Sequence, residues 1–198
     1  TVAQIPDVRV QGAGLYAEGY RSVGEAGART RLTAGVRLDV ARSEAGIDRT
    51  SLYRKYYPTA DLSLTHDDVL VGGNVQLDRE LGGGLSGWVG WGHGTRVADP
   101  QERYLALEGM GTSPDWLGQP DIRPVQSDEV DLGATWRARG VLVKAQAFHA
   151  WYSSYINLVE VTTAPGSTGP QRARTYDNVS ARTYGGELTG RFALPASL

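Results

Sequence analysis

Gly72 to Thr95 reads GGNVQLDRELGGGLSGWVGWGHGT. Apolar and polar residues alternate to Leu81, three glycines interrupt, and alternation resumes from Leu85. In a strand, successive side chains point to opposite faces, so this is a hairpin with one apolar and one polar face. Val75 and Leu77 oppose Asn74, Gln76, Asp78 and Glu80, and Arg79 breaks the apolar face only near the strand end. In the second arm, Leu85, Val89 and Trp91 oppose a nearly bare row of Ser86, Gly90, Gly92 and Gly94.

The same period recurs along the chain. LTAGVRLDV from Leu32 sets Leu32, Ala34, Val36, Leu38 and Val40 against Thr33, Gly35, Arg37 and Asp39. VDLGATWRA from Val130 sets Val130, Leu132, Ala134 and Trp136 against Asp131, Thr135 and Arg137. VLVKAQAFHAW from Val141 and YGGELTGRFAL from Tyr184 behave alike, the latter with Tyr184, Leu188, Phe192 and Leu194 opposite Glu187 and Arg191. VRVQGAGLYAEGYRS from Val8 is a strand whose facing the pattern does not decide. About seven strands result.

Their connections alternate in length. Short turns fall around Gly24, Gly82, Gly140 and Pro195; long segments run from about Ser43 to Asp67, Asp99 to Gln126 and Glu160 to Tyr176. Tight turns at one end and long loops at the other are the pattern of a transmembrane barrel. Tyr20, Trp151, Tyr155 and Tyr184 lie near strand ends, where interfacial girdles form. A soluble β-sandwich with one wet face gives the same alternation and stands as the alternative.

Composition narrows the classes. The 198 residues carry 20 Lys and Arg against 22 Asp and Glu, a net charge of -2, so no nucleic-acid footprint is present. Cysteine is absent, which excludes disulfides and thiolate metal sites. Tyr and Trp (10 and 5) outnumber Phe (2), as suits rings with one apolar and one wet end. GGGLSG lacks the Lys-Ser/Thr of a phosphate loop, H-E-x-x-H does not occur, and no enzyme motif is found. His66, His93 and His149 stand alone and read as loop or interfacial side chains. Asp67 with Asp68, and Asp128 with Glu129, read as a solvated rim, with a divalent-ion site as the alternative. Asn178-Val179-Ser180 matches a glycosylation pattern and is set aside.

Four stretches then carry a resemblance. GLYAEGYRSVGEAGARTRLTAGVRLD from Gly14, GHGTRVADPQERYLAL from Gly92, DWLGQPDIRPVQSDEVDLGATWR from Asp115 and YDNVSARTYGGELTG from Tyr176 resemble, in order, segments of the barrel of TonB-dependent outer-membrane receptors. Gln119 replaces that family's asparagine, Val125 its acidic residue and Ser180 its aspartate. The resemblance implies an all-β, antiparallel up-and-down transmembrane barrel, of which residues 1–198 supply about seven of about 22 strands, without the plug domain or the last strands. It implies a bacterial outer-membrane location and energised uptake of a metal chelate such as a ferric siderophore, or of copper or a cobalamin-like ligand. TonB would act through the plug; outer-membrane lipid and the chelate would be the other partners. A passive porin-like or adhesin barrel is the alternative in that class.

No cofactor and no resident metal site are expected. Tyr56, Tyr57, Tyr104, Met110 and Trp116, on the long loops, are the candidate ligand contacts, since binding residues concentrate on loops. Tyr56 and Tyr57 lie beside Arg54 and Lys55, which suits an anionic planar ligand; Met110 alone points to copper. Arg37, Asp39, Asp78, Glu80, Arg137, Glu187 and Arg191 are the candidates for facing the lumen and its plug.

Overall fold

The structure is a computed structural model that describes residues 7–26, 28–46, 50–57, 63–111, 113–162 and 172–193. Leu194 and the turn expected at Pro195 lie outside these residues.

Seven long strands form one sheet: β1 (Val8–Val23), β2 (Thr30–Ala45), β3 (Thr65–Gly82), β4 (Leu85–Arg96), β7 (Val125–Ala138), β8 (Val141–Thr162) and β9 (Arg172–Phe192). Two short strands, β5 (Ala106–Leu107) and β6 (Asp115–Leu117), and two short helices, α1 (Thr50–Tyr56) and α2 (Pro100–Tyr104), belong to the long connections. The long strands pair antiparallel in chain order, and β6 adds to the far edge of β9 in parallel. The whole is a curled antiparallel half-barrel. A sandwich would cover the apolar face with a second sheet; among the described residues all nine strands belong to one.

Register fixes the two faces. Val130 of β7 stands opposite Trp91 of β4 and His149 of β8, and His149 stands opposite Tyr184 of β9. Six residues along β7, Trp136 stands opposite Leu85 and Val143. Six residues of strand span roughly 20 Å, or about 15 Å of height at a barrel's usual tilt, which lies within an apolar band about 25 Å tall. Between these rows the face carries Val89, Leu132, Ala134, Ala145, Ala147 and Leu188. The band continues through Leu15, Val36, Leu38, Val71, Val75 and Leu77. Among the described residues this face has no Asp, Glu, Lys or Arg between an upper row of Arg42, Asp67, Asp128 and Arg182 and a lower row of Arg21 and Arg79. Large apolar groups here stay open to the surroundings, such as Leu15 at 79% and Leu188 at 75%. In water such an area would be a severe liability.

The other face is polar and concave. Two hollows of about 590 and 450 Å³ open on it, lined by residues such as Arg31, Gln76, Asp78 and Trp88 in one, and Tyr16, Arg37, Asn74 and Glu129 in the other. Among the described residues, five of the six glycines with positive φ (Gly24, Gly82, Gly83, Gly84 and Gly140) sit in the tight turns at one end. These turns need the left-handed conformation, which glycine adopts without a Cβ penalty.

Several expectations are corrected. Tyr20 lies opposite Thr33 on the polar face with Arg31 4.1 Å from its ring centroid, so it is not part of an outer girdle. Tyr155 lies beyond a bulge in β8 and packs edge-on against Tyr152. Trp88 occupies the face of β4 that read as nearly bare, lying across Gly133.

Candidate functional site

The long connections converge at the end away from the tight turns. Their order starts with α2, five residues that a free peptide would not keep helical. Pro100 occupies the first turn, and the Asp99 N–H donates to the Glu102 carboxylate at 2.7 Å. Glu102 also accepts from both terminal nitrogens of Arg96, at 2.9 and 3.0 Å. Local caps and a bidentate pair thus fix the helix onto the top of β4.

Arg103 follows and is 1% exposed. Its guanidinium pairs with Asp68 at 2.7 Å and donates to Ser43 Oγ at 2.9 Å and to the Ile122 carbonyl at 3.4 Å. Ser43 lies near the end of β2, Asp68 near the start of β3 and Ile122 just ahead of β7, so one side chain ties together three connections. Asp68 is therefore a largely buried ion-pair partner and not part of a solvated rim. Tyr104, also buried, meets Ser43 Oγ through its hydroxyl at 3.0 Å.

The segment after β6 rests directly on α2. Gly118 N–H donates to the Leu105 carbonyl at 2.6 Å, and Gln119 N–H to that of Glu102 at 2.8 Å. A Cβ on Gly118 would come 2.3 Å from the Arg103 carbonyl carbon. Gly118→Ala is expected to lift this segment and cost about 1–3 kcal/mol. Faster amide exchange at Gln119 and Ile122 checks this, and unchanged exchange contradicts it.

A second node holds α1 against β6. Asp115 accepts from Lys55 Nζ at 2.9 Å, from the Tyr56 hydroxyl and from the Gly109 N–H at 2.7 Å. Burial by itself raises the Asp115 pKa, but these three donors and the Lys55 charge outweigh it and hold it below the usual aspartate value. Tyr56 is pushed above the ordinary tyrosine value by burial and by the Asp115 carboxylate, so it remains a donor. Beneath this node, Tyr53, Ala106, Leu117 and Ala173 form a small buried cluster. Tyr53 donates to the Leu105 carbonyl at 3.1 Å, and the Tyr57 hydroxyl donates to Thr175 Oγ1 at 3.3 Å.

A depressed carboxylate stabilises the docked state fully above the ordinary Asp pKa and loses that contribution as pH falls through its lowered value. Protection of α1 from proteolysis should therefore be flat from neutral pH down to the ordinary aspartate range and fall only below it. In Asp115→Asn, protection should already be reduced at neutral pH, without that acid step. An acid step retained in this variant contradicts the assignment.

A third clasp closes the β8 bulge. Asn178 accepts from the Arg123 N–H at 2.9 Å and donates to the carbonyls of Arg123 and Ser154, each at 3.1 Å. Ser154 Oγ donates to the Pro124 carbonyl at 2.7 Å and accepts from Gln126 N–H at 3.1 Å. The side-chain amide of Asn178 thus replaces missing ladder bonds at a place that sequence reading set aside as a glycosylation pattern.

The five loop candidates fall in different surroundings. Tyr104 is enclosed, Tyr56 and Tyr57 are half-buried and engaged with Asp115 and Thr175, and Trp116 is half-buried. Met110, 88% exposed, stands beside the left-handed Gly111. The charged strand residues Arg37, Asp39, Asp78, Glu80, Arg137, Glu187 and Arg191 share the polar concave face. Arg37 is bidentate to Asp39 at 2.6 and 2.8 Å, Asp78 accepts from Gln76 and Glu187 from Gln146. Sequence reading gave no structural role to Arg103, Asp115, Gly118 or Asn178, although all four stand in stretches that carried the resemblance.

This sheet superposes on part of several longer solved chains. The chain superposes on the copper transporter OprC with a TM-score of 0.69 and 24% identity, over 96% of this chain and 28% of that one. It superposes on the Serratia marcescens hemophore receptor HasR, solved as a double mutant with its hemophore HasA and heme, with a TM-score of 0.71 and 16% identity, over 93% and 32%. For the siderophore receptor PirA from Pseudomonas aeruginosa the TM-score is 0.53 and identity 13%, over 96% and 40%. Identities this low show a common fold, and the chain spans between 28% and 40% of those proteins' lengths. No curated protein sequence matches it. The family model described as TonB dependent receptor-like, beta-barrel, matches residues 2–198. The chain belongs to the TonB-dependent receptor-like β-barrel family.

Proposed function

We propose that these strands are one wall of a bacterial outer-membrane receptor that takes up a metal chelate with energy delivered through TonB. The observation that carries this reading is the pairing of faces: an apolar band free of charge between two aromatic-bearing rows, opposite a polar, concave wall. The band suits lipid, and the polar wall suits a plug domain seated against Arg37, Asp39, Asp78, Glu80, Arg137, Glu187 and Arg191. Buried charges need partners, so that plug would carry complementary groups. The gathered loops form the outer mouth. There Tyr56, Tyr57 and Tyr104 brace the connections, leaving Met110 and Trp116 as the side chains for the ligand.

The test is uptake by cells that express the native polypeptide. Radiolabelled ferric chelates and copper are supplied with TonB present or deleted. Accumulation of one of them that disappears without TonB or after proton uncoupling is the expected result. Accumulation independent of TonB would favour the passive barrel, and no accumulation of any would reject chelate uptake.

A further inference from the structure

We infer that Trp151, Arg182 and Tyr184 hold the headgroup of a lipid that carries a phosphate, at the loop end of the apolar band. The inference rests on the lipid-facing side of the proposed receptor and not on what the receptor transports. On β8 and β9, Trp151 stands opposite Arg182 and His149 opposite Tyr184. Side chains paired in this way share one side of the sheet, here the apolar one. Two residues of strand rise about 7 Å, so Arg182 sits just above the aromatic row of Trp91, His149 and Tyr184.

Three donors meet here without an acceptor. Guanidinium and indole N–H groups only donate, and a phenol can donate as well. Arg182 is exposed, and among the described residues neither it, Trp151 nor Tyr184 has a hydrogen-bond or ion-pair partner. Elsewhere along this row the basic side chains are matched: Arg42 pairs with Asp67 at 3.4 Å, and His93 meets Asp128 at 3.0 Å. Asp128 is two strands from Arg182, with Trp151 between them, and is already engaged. A phosphate supplies what is missing. Two of its oxygens fit the guanidinium fork, and a third can accept from the indole or the phenol.

The donors are held in place by their neighbours. His149 stacks on Trp151 with ring centroids 4.3 Å apart and planes within 15°, and lies 6.0 Å from the Tyr184 ring. Rings packed in this way lose little freedom when a ligand arrives, which favours affinity. What lies below them selects a lipid over a soluble anion. Ala147 and Gly186 stand opposite each other directly beneath His149 and Tyr184, so the apolar face is low where an acyl chain would descend.

Native mass spectrometry of the detergent-solubilised native polypeptide tests the site with three probes: a phosphatidic acid, the diacylglycerol with the same acyl chains, and inorganic phosphate. The wild type should retain the phosphatidic acid in preference to the diacylglycerol, and a large excess of inorganic phosphate should not displace it. Arg182→Gln should weaken that retention about tenfold or more, as loss of a charge-assisted hydrogen bond does. Arg182→Lys, which keeps the charge but loses the fork, should fall between. Ala147→Leu, which raises the surface under the donors, should weaken retention too. Arg42→Gln combined with Asp67→Asn removes a matched pair and should change nothing. Heat-dependent gel mobility confirms that each variant keeps its barrel. If Arg182→Gln retains phosphatidic acid as the wild type does, or the wild type holds both lipids equally, the site is wrong while the lipid-facing reading stands. If inorganic phosphate displaces the lipid, the site takes an anion from solution and not a headgroup. If neither lipid is retained, the lipid-facing reading falls as well.

Discussion

Leu132→Arg is expected to destabilise the assembled barrel by about 2–4 kcal/mol, the cost of a basic side chain near the middle of an apolar band. Leu132 stands on β7 between the rows marked by Trp91 and Trp136, opposite Val89 on one side and Ala147 on the other. No acidic side chain lies on that face within the band, so nothing there can pair with the new charge. Gln146→Arg places the same charge on the polar face, directly across from Glu187, and should stay within about 0.5 kcal/mol of wild type. Urea unfolding in detergent micelles, followed by gel mobility, measures both. Equal losses at the two positions would mean that the faces have been exchanged or that neither meets lipid.

The second large effect is at the loops. Arg103→Ala removes the partner of a largely buried carboxylate and should cost about 3–5 kcal/mol. The loss should be local: hydrogen exchange should rise at the ends of β2 and β3 and in the approach to β7, while the strands below keep their protection. Asp68→Leu combined with Arg103→Met replaces both charges by apolar groups, and should recover much of the loss because no lone charge stays buried. If the double variant is as loose as Arg103→Ala, the hydrogen bonds to Ser43 and Ile122, and not the ion pair, hold the loops together.

The reach of the sequence follows from what each feature depends on. Strands such as Val130 to Ala138 were legible because facing is a local, period-two property of the chain. The first strand was not: Tyr16 and Tyr20 face the polar side, while Ala13, Ala17 and Gly19 face the apolar one with Leu15. Amphipathic rings on one side and small residues on the other blur the contrast that alternation relies on. Trp88 misled in the same way, since its ring lies flat over Gly133 and needs no apolar environment.

The loop site was harder to read for a different reason. Arg103 finds Ser43 60 residues away and Asp68 35 away, and Asn178 finds Arg123 at a distance of 55. No periodicity encodes such pairings. The tyrosines near Lys55 were conspicuous as residue types, but their neighbours, Asp115 and Thr175, come from other connections and turn Tyr56 and Tyr57 towards bracing the fold.

The central claim, that one face of this sheet meets lipid and the other does not, is open to one direct measurement. The chain has no native cysteine, so single cysteines can be placed one by one from Val130 to Trp136 without background. With a nitroxide on each in a reconstituted bilayer, collision with dissolved oxygen reports lipid contact, and collision with a water-soluble nickel chelate reports aqueous contact. The expected result is strict alternation, with oxygen favoured at 130, 132, 134 and 136 and suppressed at 131, 133 and 135. A profile without period two, or one in which the nickel chelate reaches 132 and 134, would contradict the account.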